Sequence, residues 1–364
     1  MAGITLPKFN FHFNLPFLNR QSLSVGLDIG SHSIKACELA TYGKGFRLIS
    51  LGSARLPQHS VEDGVLQNPD AVAKTITALT SNLKLAGRKV AISISGYSVI
   101  VKKINLEVMN EQQLEAHIRS EAEQYIPFDI DEVYLDFQDL KTNSASEERT
   151  DVMLVAAKKD VVDAYLALLR SVGLKTVIVD VDAFALENAY GSCYGMQDNV
   201  VLVDIGASKM NINIISNGNS VLARDVILGS GLITEQIQNR FGLEYDDAEA
   251  LKIGLKPPGK HKEQLEEIFV SICTQWITEI KRALDFYATN HADSPISNII
   301  LSGGGSKTKG LDKFFSMETG IPAEVFNPFR KVDFNASKIN PAFIKIIAPE
   351  MALSAGLATR PVTI

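Results

Sequence analysis

Asp28, Gly30, Ser31, Ser33 and Lys35 lie together in the stretch VGLDIGSHSIKACEL, residues 25–39, with the lysine seven positions after the aspartate. An aspartate at a strand end, followed by glycine and small hydroxyls in a turn, suits a phosphate-and-metal site. Glycine lets backbone approach a phosphate, and the exposed N–H groups of the turn donate to it. Hydrated magnesium commonly binds through one or two carboxylates plus phosphate oxygens. A lysine returned to the same point supplies positive charge for the phosphates. The same entry recurs at residues 200–214, VVLVDIGASKMNINI, where Asp204, Gly206, Ala207 and Ser208 make a candidate second loop facing the first. One Asp-x-Gly is ordinarily only a turn. Two at matching points, 176 residues apart, are a stronger signal. A third turn, Gly303-Gly304-Gly305 after the run IILS, offers bare backbone against which a nucleoside can lie flat. Neither the Walker A spacing nor the dinucleotide fingerprint occurs.

These loops need strands to carry them. VGLDIG, IKACELA and FRLISLGSARL read as three strands, with a hairpin at Gly43 and Gly45. Residues 69–86 read as a helix: Pro69 near its start, Val72, Ile76, Leu79 and Leu83 on one face, and Gly87 as its stop. Residues 90–95 form a compact strand. The rhythm changes at 97–150. A strand, SVIVKKINL, precedes a helix that begins at Asn110, with Gln113 completing a capping box, and that stops at Pro127. Val133, Leu135 and Phe137 then alternate as a half-buried strand, and the polar run KTNSASEERT leads to the strand VMLVAA. Strand, helix, strand, strand makes a small α+β module inserted into the first lobe. A helix at 160–172 and the strand KTVIVDVDA follow. VVLVDIG, KMNINIIS and SVLARDVI, with a turn at Asn217-Gly218, then repeat the opening three strands, which indicates an internal duplication. Helices at TEQIQNRFG, DAEALKIG and 263–290, a strand at NIILS, another near AEVFN and a helix at PEMALSAGLATR complete the pattern.

Composition bounds the classes. The chain has 364 residues, enough for two or more domains, and is 46% hydrophobic and 21% charged, ordinary for a globular protein. A net charge of −6 gives no footprint for nucleic acid. Cys37, Cys193 and Cys273 are scattered and form no C-x-x-C pair, so buried thiols in a reducing compartment are expected. No apolar run reaches the ~18–20 residues of a membrane helix. The N-terminus, MAGITLPKFNFHFNLPFLNRQ, has no uninterrupted apolar core of a signal peptide.

The Asp-x-Gly-Ser loop with its lysine, the second Asp-x-Gly and the late triple glycine resemble the actin-like ATPase superfamily, which includes actin, sugar kinases, MreB and FtsA. The inserted module, in place of actin's usual subdomain, resembles FtsA and its pilus relatives. The runs EAEQYIPFDIDEVYLDF at 121–137, DVDAFALENAYG at 180–191 and APEMALSAGLA at 348–358 are similar to the PilM family of type IV pilus proteins. The resemblance covers about residues 22–360. It implies an α/β actin-like ATPase fold, with two duplicated ribonuclease-H-like lobes and an inserted FtsA-type module. The expected division is an N-terminal extension at 1–21, a first lobe at 22–96, 151–198 and 342–364, the module at 97–150, and a second lobe at 199–341.

The resemblance further implies an ATP site between the lobes. Asp28, Gly30, Ser31 and Lys35 match the first phosphate loop, with Ser33 beside them. Asp204, Gly206 and Ser208 match the second, and Gly303, Gly304 and Gly305 match the adenosine loop. Lys252 falls where relatives contact the nucleoside. Asp28 and Asp204 are the expected holders of Mg through water. Hydrolysing relatives often carry DxGGG or DxGDG where this chain has Asp-Ile-Gly-Ala-Ser, so slow or absent hydrolysis is expected, and no catalytic base is obvious. The implied role is a cytoplasmic scaffold at the inner membrane, reaching the membrane only through partners. Those partners are the cytoplasmic tail of a PilN-like membrane protein, other pilus platform proteins or an assembly ATPase, and a further copy of the chain. A related type II secretion platform is also compatible. The alternatives are a small-molecule kinase of the same fold and an FtsA-like filament protein; the ending LATRPVTI, without a basic amphipathic segment, speaks against the latter.

Several features admit two readings. Lys35 is either a phosphate ligand or a solvated strand lysine. His32 is expected at the surface. Asp129, Asp131, Glu132 and Asp136 do not follow EF-hand spacing and read as an exposed acidic edge. Tyr125, Pro127 and Phe128 either pack at a helix end or line a groove for a partner peptide. Residues 8–18, where Phe9, Phe11 and Phe13 alternate with polar residues, are either a frayed tail or a pseudo-ligand that folds back and competes with a partner tail.

Overall fold

The computed structural model describes residues 21–22, 25–140, 148–291 and 293–362. Two sheets dominate. The first runs in the order Lys175–Val181, Lys89–Ile94, Val25–Ile29, Ser33–Tyr42, Gly45–Arg55, Asp333–Phe334. The second runs Asn219–Val226, Met210–Ser216, Val200–Ile205, Asn298–Ser302, Ala323–Val325. In each, three antiparallel strands are followed by two parallel ones that add on the far side of the first strand. The spatial order, counted along each unit, is third, second, first, fourth, fifth in both. The duplication read from two Asp-Ile-Gly entries is therefore a duplication of topology.

The central strands Val25–Ile29 and Met210–Ser216 are buried along their whole length. Covering both faces of a sheet with helices favours such near-continuous apolar runs. Of the interleaved asparagines of the second run, Asn213 is satisfied internally: it donates to the Ala183 carbonyl at 2.9 Å and accepts from Ser220 at 2.7 Å.

The inserted module is a three-stranded antiparallel sheet, Val99–Glu107, Arg149–Lys158, Val133–Asp139. The helix Glu111–Tyr125 packs on one face, and the Asn110/Gln113 capping box is present in both directions. Met153 and Val155 on the other face pack against Val181 and Phe184 of the first lobe.

Three expectations are corrected. The helix expected over 69–86 is Pro69–Asn82; Lys84, at φ 57°, makes the left-handed turn that ends it, and Gly87 lies in the next turn. A helix that no periodicity announced, Asp182–Tyr194, connects the lobes. It is buried nearly all round, so its sequence shows no polar face. The chain also returns to the first lobe well before 342, because Phe329 packs with Leu48 and Ile344 and the strand Asp333–Phe334 extends the first sheet.

The lobes are joined where that connecting helix meets Ala352–Ala358, all of whose residues are buried. Small side chains let backbones touch here. A Cβ on Gly356 would sit 1.7 Å from the Ala185 carbonyl oxygen, and one on Gly26 would sit 2.0 Å from that of Ser354. The short helix is thus wedged between the first strand and the connecting helix. The surrounding stretch Pro341–Ala358 is long and apolar enough to cross a membrane, 18 residues at mean hydropathy 1.3, contrary to expectation, and 67% of it is buried inside the protein. Cys37, Cys193 and Cys273 are buried free thiols, as expected. The Phe-rich stretch 8–18 lies outside the described residues.

Gly356→Ala must push the two helices apart, and overpacking of this kind costs about 1–3 kcal/mol. Chemical denaturation is expected to show that loss for Gly356→Ala and less than about 0.5 kcal/mol for Gly45→Ala, whose added Cβ meets nothing within 4 Å.

Candidate functional site

The seven-residue spacing from Asp28 to Lys35 has a direct structural reason. The two residues are cross-strand partners in the hairpin of Val25–Ile29 and Ser33–Tyr42. Lys35 Nζ lies 3.1 Å from Asp28 Oδ2, and both side chains are mostly buried, so Lys35 is no solvated strand lysine. The turn closes with the Gly30 N–H donating to the Ser33 carbonyl at 3.2 Å; in the second hairpin Gly206 donates to Lys209 at 2.8 Å. The duplicated turns meet across the lobes, where Ser208 Oγ donates to Ser31 Oγ at 3.0 Å.

The second hairpin carries its cation elsewhere. Asn211, not a lysine, stands opposite Asp204. Lys209, two residues earlier, reaches away to Asp182 at 3.1 Å, to Asp225 at 3.7 Å and to Ser95 Oγ. Asp182 is the first residue of the connecting helix and accepts a hydrogen bond from Ser95. Asp225 accepts from the Gly96 N–H at 2.6 Å and from Asn211 at 2.8 Å.

Asp28, Asp182 and Asp204 thus converge with Lys35 and Lys209 on one cavity of about 210 Å³ between the lobes. Burial pushes the Asp28 carboxyl above its ordinary range against the pull of Lys35. Asp182 is also raised by burial, but Lys209 and its hydroxyl donor outweigh this and hold it below the usual range. Asp204 has the weakest compensation. Burial comes first, a hydrogen bond from Ser302 at 2.8 Å opposes it, and the charges of Asp28 and Asp182 add to it, leaving the carboxyl at about 6. A cation placed among these carboxylates would relieve that strain.

The triple-glycine turn divides its labour. Gly303 has φ 79° with backbone pressed on Ile205, and Gly305 packs on Ile205 and Ser230. Gly304 alone opens into the cavity, where the nearest atom to an added Cβ is Glu350 Cγ at 3.9 Å. Beside it Lys307 and Glu350 form an ion pair. Ala207 is held by the Gly231 N–H at 2.9 Å at the start of the helix Gly231–Phe241. Lys252 is buried, donates to Thr234 Oγ1 at 2.9 Å and pairs with Glu249, and both line the cavity.

The structure therefore brings Asp28, Gly30, Ser31, Ser33, Lys35, Asp204, Gly206, Ala207, Ser208, Lys252 and Gly304 to one cavity, and sets Gly303 and Gly305 behind it. Sequence reasoning missed Asp182, Lys209, Lys307 and Glu350. Lys209 carried a signal, a lysine in the second turn; Asp182 sat in a stretch read as a strand end. His32 was expected at the surface and instead lines the cavity, stacked on Tyr245. Tyr125 and Phe128 lie elsewhere, half-buried against the module's core, with Lys158 over the Phe128 ring at 5.0 Å and Pro127 exposed. Asp129 caps a short turn by accepting from the Asp131 N–H. Asp136 is half-buried, not exposed, and burial pushes its carboxyl up to about 7.

Because the Asp204 carboxyl is raised in the folded state, folding retains its proton between its unfolded value near 4 and about 6, and its contribution to stability falls as pH rises through that window. Asp204→Asn removes this cost. At about 1.4 kcal/mol per unit, discounted for partial exposure, the variant is expected to be ~1–2 kcal/mol more stable than wild type at pH 7.5. Denaturation curves across pH should show the gap closing toward pH 4; a constant gap would contradict the assignment.

The family described as "Type IV pilus assembly protein PilM" matches residues 26–362. A solved structure of a PilM-PilN type IV pilus biogenesis complex superimposes with a TM-score of 0.81 at 28% identity, covering 93% of this chain and 98% of that chain. The ethanolamine utilization protein EutJ from Carboxydothermus hydrogenoformans gives a TM-score of 0.55 at 16% identity, over 92% and 89% of the two chains. MreB5 of Spiroplasma citri bound to ADP gives 0.52 at 13%, over 91% and 94%, and with EutJ it speaks to the fold alone. With its duplicated actin-like lobes, the chain belongs to the PilM family of type IV pilus assembly proteins.

Proposed function

We propose that this protein is an ATP-binding scaffold of the pilus assembly platform, on the cytoplasmic side of the inner membrane, that holds the cytoplasmic tail of a PilN-like membrane protein. The observation that carries the nucleotide reading is the convergence of two Asp-x-Gly turns and Gly304 on one cavity with Asp28, Asp182, Asp204, Lys35 and Lys209. Asp28 and Asp204 would hold Mg through water, and Lys35 with the turn N–H groups would meet phosphate. Gly304, Lys252 and Glu249 would meet the nucleoside. The bound metal would supply charge neutralisation that Asp204 lacks. MreB5 of Spiroplasma citri, on the same fold, has been solved with ADP.

Holding suits this site better than turnover. Asp182 is the carboxylate least burdened by its neighbours, but it is ion-paired with Lys209 and hydrogen-bonded to Ser95, so it is not free to take a proton from water. The Ala207-Ser208 turn adds no base. Bound nucleotide would fix one relative pose of the lobes by differential affinity. The partner reading is supported by the similar PilM-PilN complex, and the inserted module, with Tyr125, Pro127 and Phe128 at its helix end, is the proposed docking element.

Asp28→Ala and Asp204→Ala are each expected to weaken Mg-ATP binding by roughly ten- to a hundred-fold in calorimetry, the loss typical of a charge-assisted contact. Unchanged affinity in both would remove the two-lobe site. Purified protein is expected to release phosphate well below about 1 per second; a faster rate would overturn the holding role.

Phe128→Ala and Tyr125→Ala are expected to weaken binding of the partner's tail peptide, with losses of about 2 kcal/mol typical of a buried aromatic anchor. Normally folded variants that bind the peptide at full strength would place the groove elsewhere.

A further inference from the structure

The cavity has a hinge side and a mouth. On the hinge side Gly356 and Ala185 touch at backbone distance, so the lobes cannot part there without breaking packed core. On the mouth side the lobes meet through side chains in layers. His32, from the first turn, stacks on Tyr245 of the helix Tyr245–Lys252 in the second lobe, with ring centroids 5.4 Å apart and planes within 19°. Both rings line the cavity. Over the Tyr245 ring lies the guanidinium of Arg55, 4.0 Å from its centroid, at the end of the first-lobe strand Gly45–Arg55. Arg55 Nη1 also donates to Asp246 Oδ1 at 2.9 Å, and the Asp246 side chain is 87% exposed. The Leu56 N–H donates to the His32 carbonyl at 2.8 Å, which ties the turn to the strand end that carries Arg55.

Cavity, His32 with Tyr245, Arg55, Asp246 and solvent therefore follow one another from inside to outside. Every contact in the stack crosses from one lobe to the other, and each is of a kind that opens readily: a ring stack, a cation over a ring, and an exposed ion pair. The cavity behind it, about 210 Å³, is smaller than the ~300–1,000 Å³ of ordinary ligand pockets. A ligand as large as a nucleoside triphosphate needs the lobes to part, and the mouth is the side with reversible contacts.

We propose that His32, Tyr245 and Arg55 form a gate across the cleft, and that nucleotide enters and leaves when this stack opens. The proposal rests on the nucleotide reading above and goes beyond it by naming the residues that set the exchange rate. Arg55 carries the decisive distinction, because it does not line the cavity. Loosening a gate lowers the barrier in both directions, whereas losing a ligand contact changes release and affinity together.

The test is stopped-flow binding and displacement of a fluorescent N-methylanthraniloyl-ATP with magnesium on the full chain. Arg55→Ala is expected to raise association and dissociation rates each about tenfold, with Kd within about twofold of wild type. Arg55→Lys keeps a cation over the ring and is expected to fall close to wild type. Tyr245→Ala, which removes both layers, is expected to exchange at least as fast as Arg55→Ala. Unchanged rates in Arg55→Ala, or faster release with a matching loss of affinity, would overturn the gate while leaving the nucleotide reading intact. Failure of the wild-type protein to bind the analogue would overturn the nucleotide reading itself, and the gate with it.

Discussion

The lobes are held at backbone contact by a glycine, and the site depends on that contact. Where Ala352–Ala358 crosses Asp182–Tyr194, no room remains for even a Cβ at Gly356, and Gly26 gives the same helix access to the first strand. Close-packed cores do not deform continuously. A junction of this kind therefore fixes the two sheets together on its own side of the cleft and makes the convergence of Asp28 and Asp204 a property of packing, not only of the loops that carry them.

That packing imposes an electrostatic cost. Asp28, Asp182 and Asp204 point into the cavity, and Lys35 and Lys209 only partly neutralise them. Lys35 pairs with Asp28, and Lys209 with Asp182 and Asp225. Asp204 is left with a serine hydroxyl and a carboxyl raised to about 6. Strain of this kind clusters at functional sites, and it supports the proposed cation. The duplication makes the imbalance legible. Both hairpins offer an aspartate at the same point, but the lysines sit at different registers, so one cross-links its own hairpin and the other ties the second lobe to the connecting helix and the Ser95-Gly96 loop.

The inserted module stands apart from this arrangement. Its sheet packs on Val181 and Phe184, one strand-end away from Asp182. The module face that meets Val181 and Phe184 is thus a few residues of one strand-to-helix connection away from the cavity, and the module's helix lies on the opposite face. In the proposed function, this connection is the packed element between the nucleotide and the module.

The sequence by itself determined the units. Two Asp-Ile-Gly entries, each followed by paired apolar runs, announced two copies of one sheet. The Asn110/Gln113 capping box announced the module's helix. The seven-residue Asp28–Lys35 spacing announced a cross-strand pair. These signals are local, because hairpin register and helix caps are set within a few residues. The tertiary structure alone decided the rest. The connecting helix was invisible because burial on all sides leaves no amphipathic period. Asp182 and Lys209 belong to different lobes and become partners only when the lobes pack. His32, a turn residue with no distinguishing neighbours, acquires a role only because Tyr245 stacks on it from the far lobe. The division of Gly303, Gly304 and Gly305 into two packing glycines and one open to the cavity follows from what each faces across the chain. No spacing in the sequence records that, since the contacts join residues from 27 positions apart, Asp182 with Lys209, to 213 apart, His32 with Tyr245.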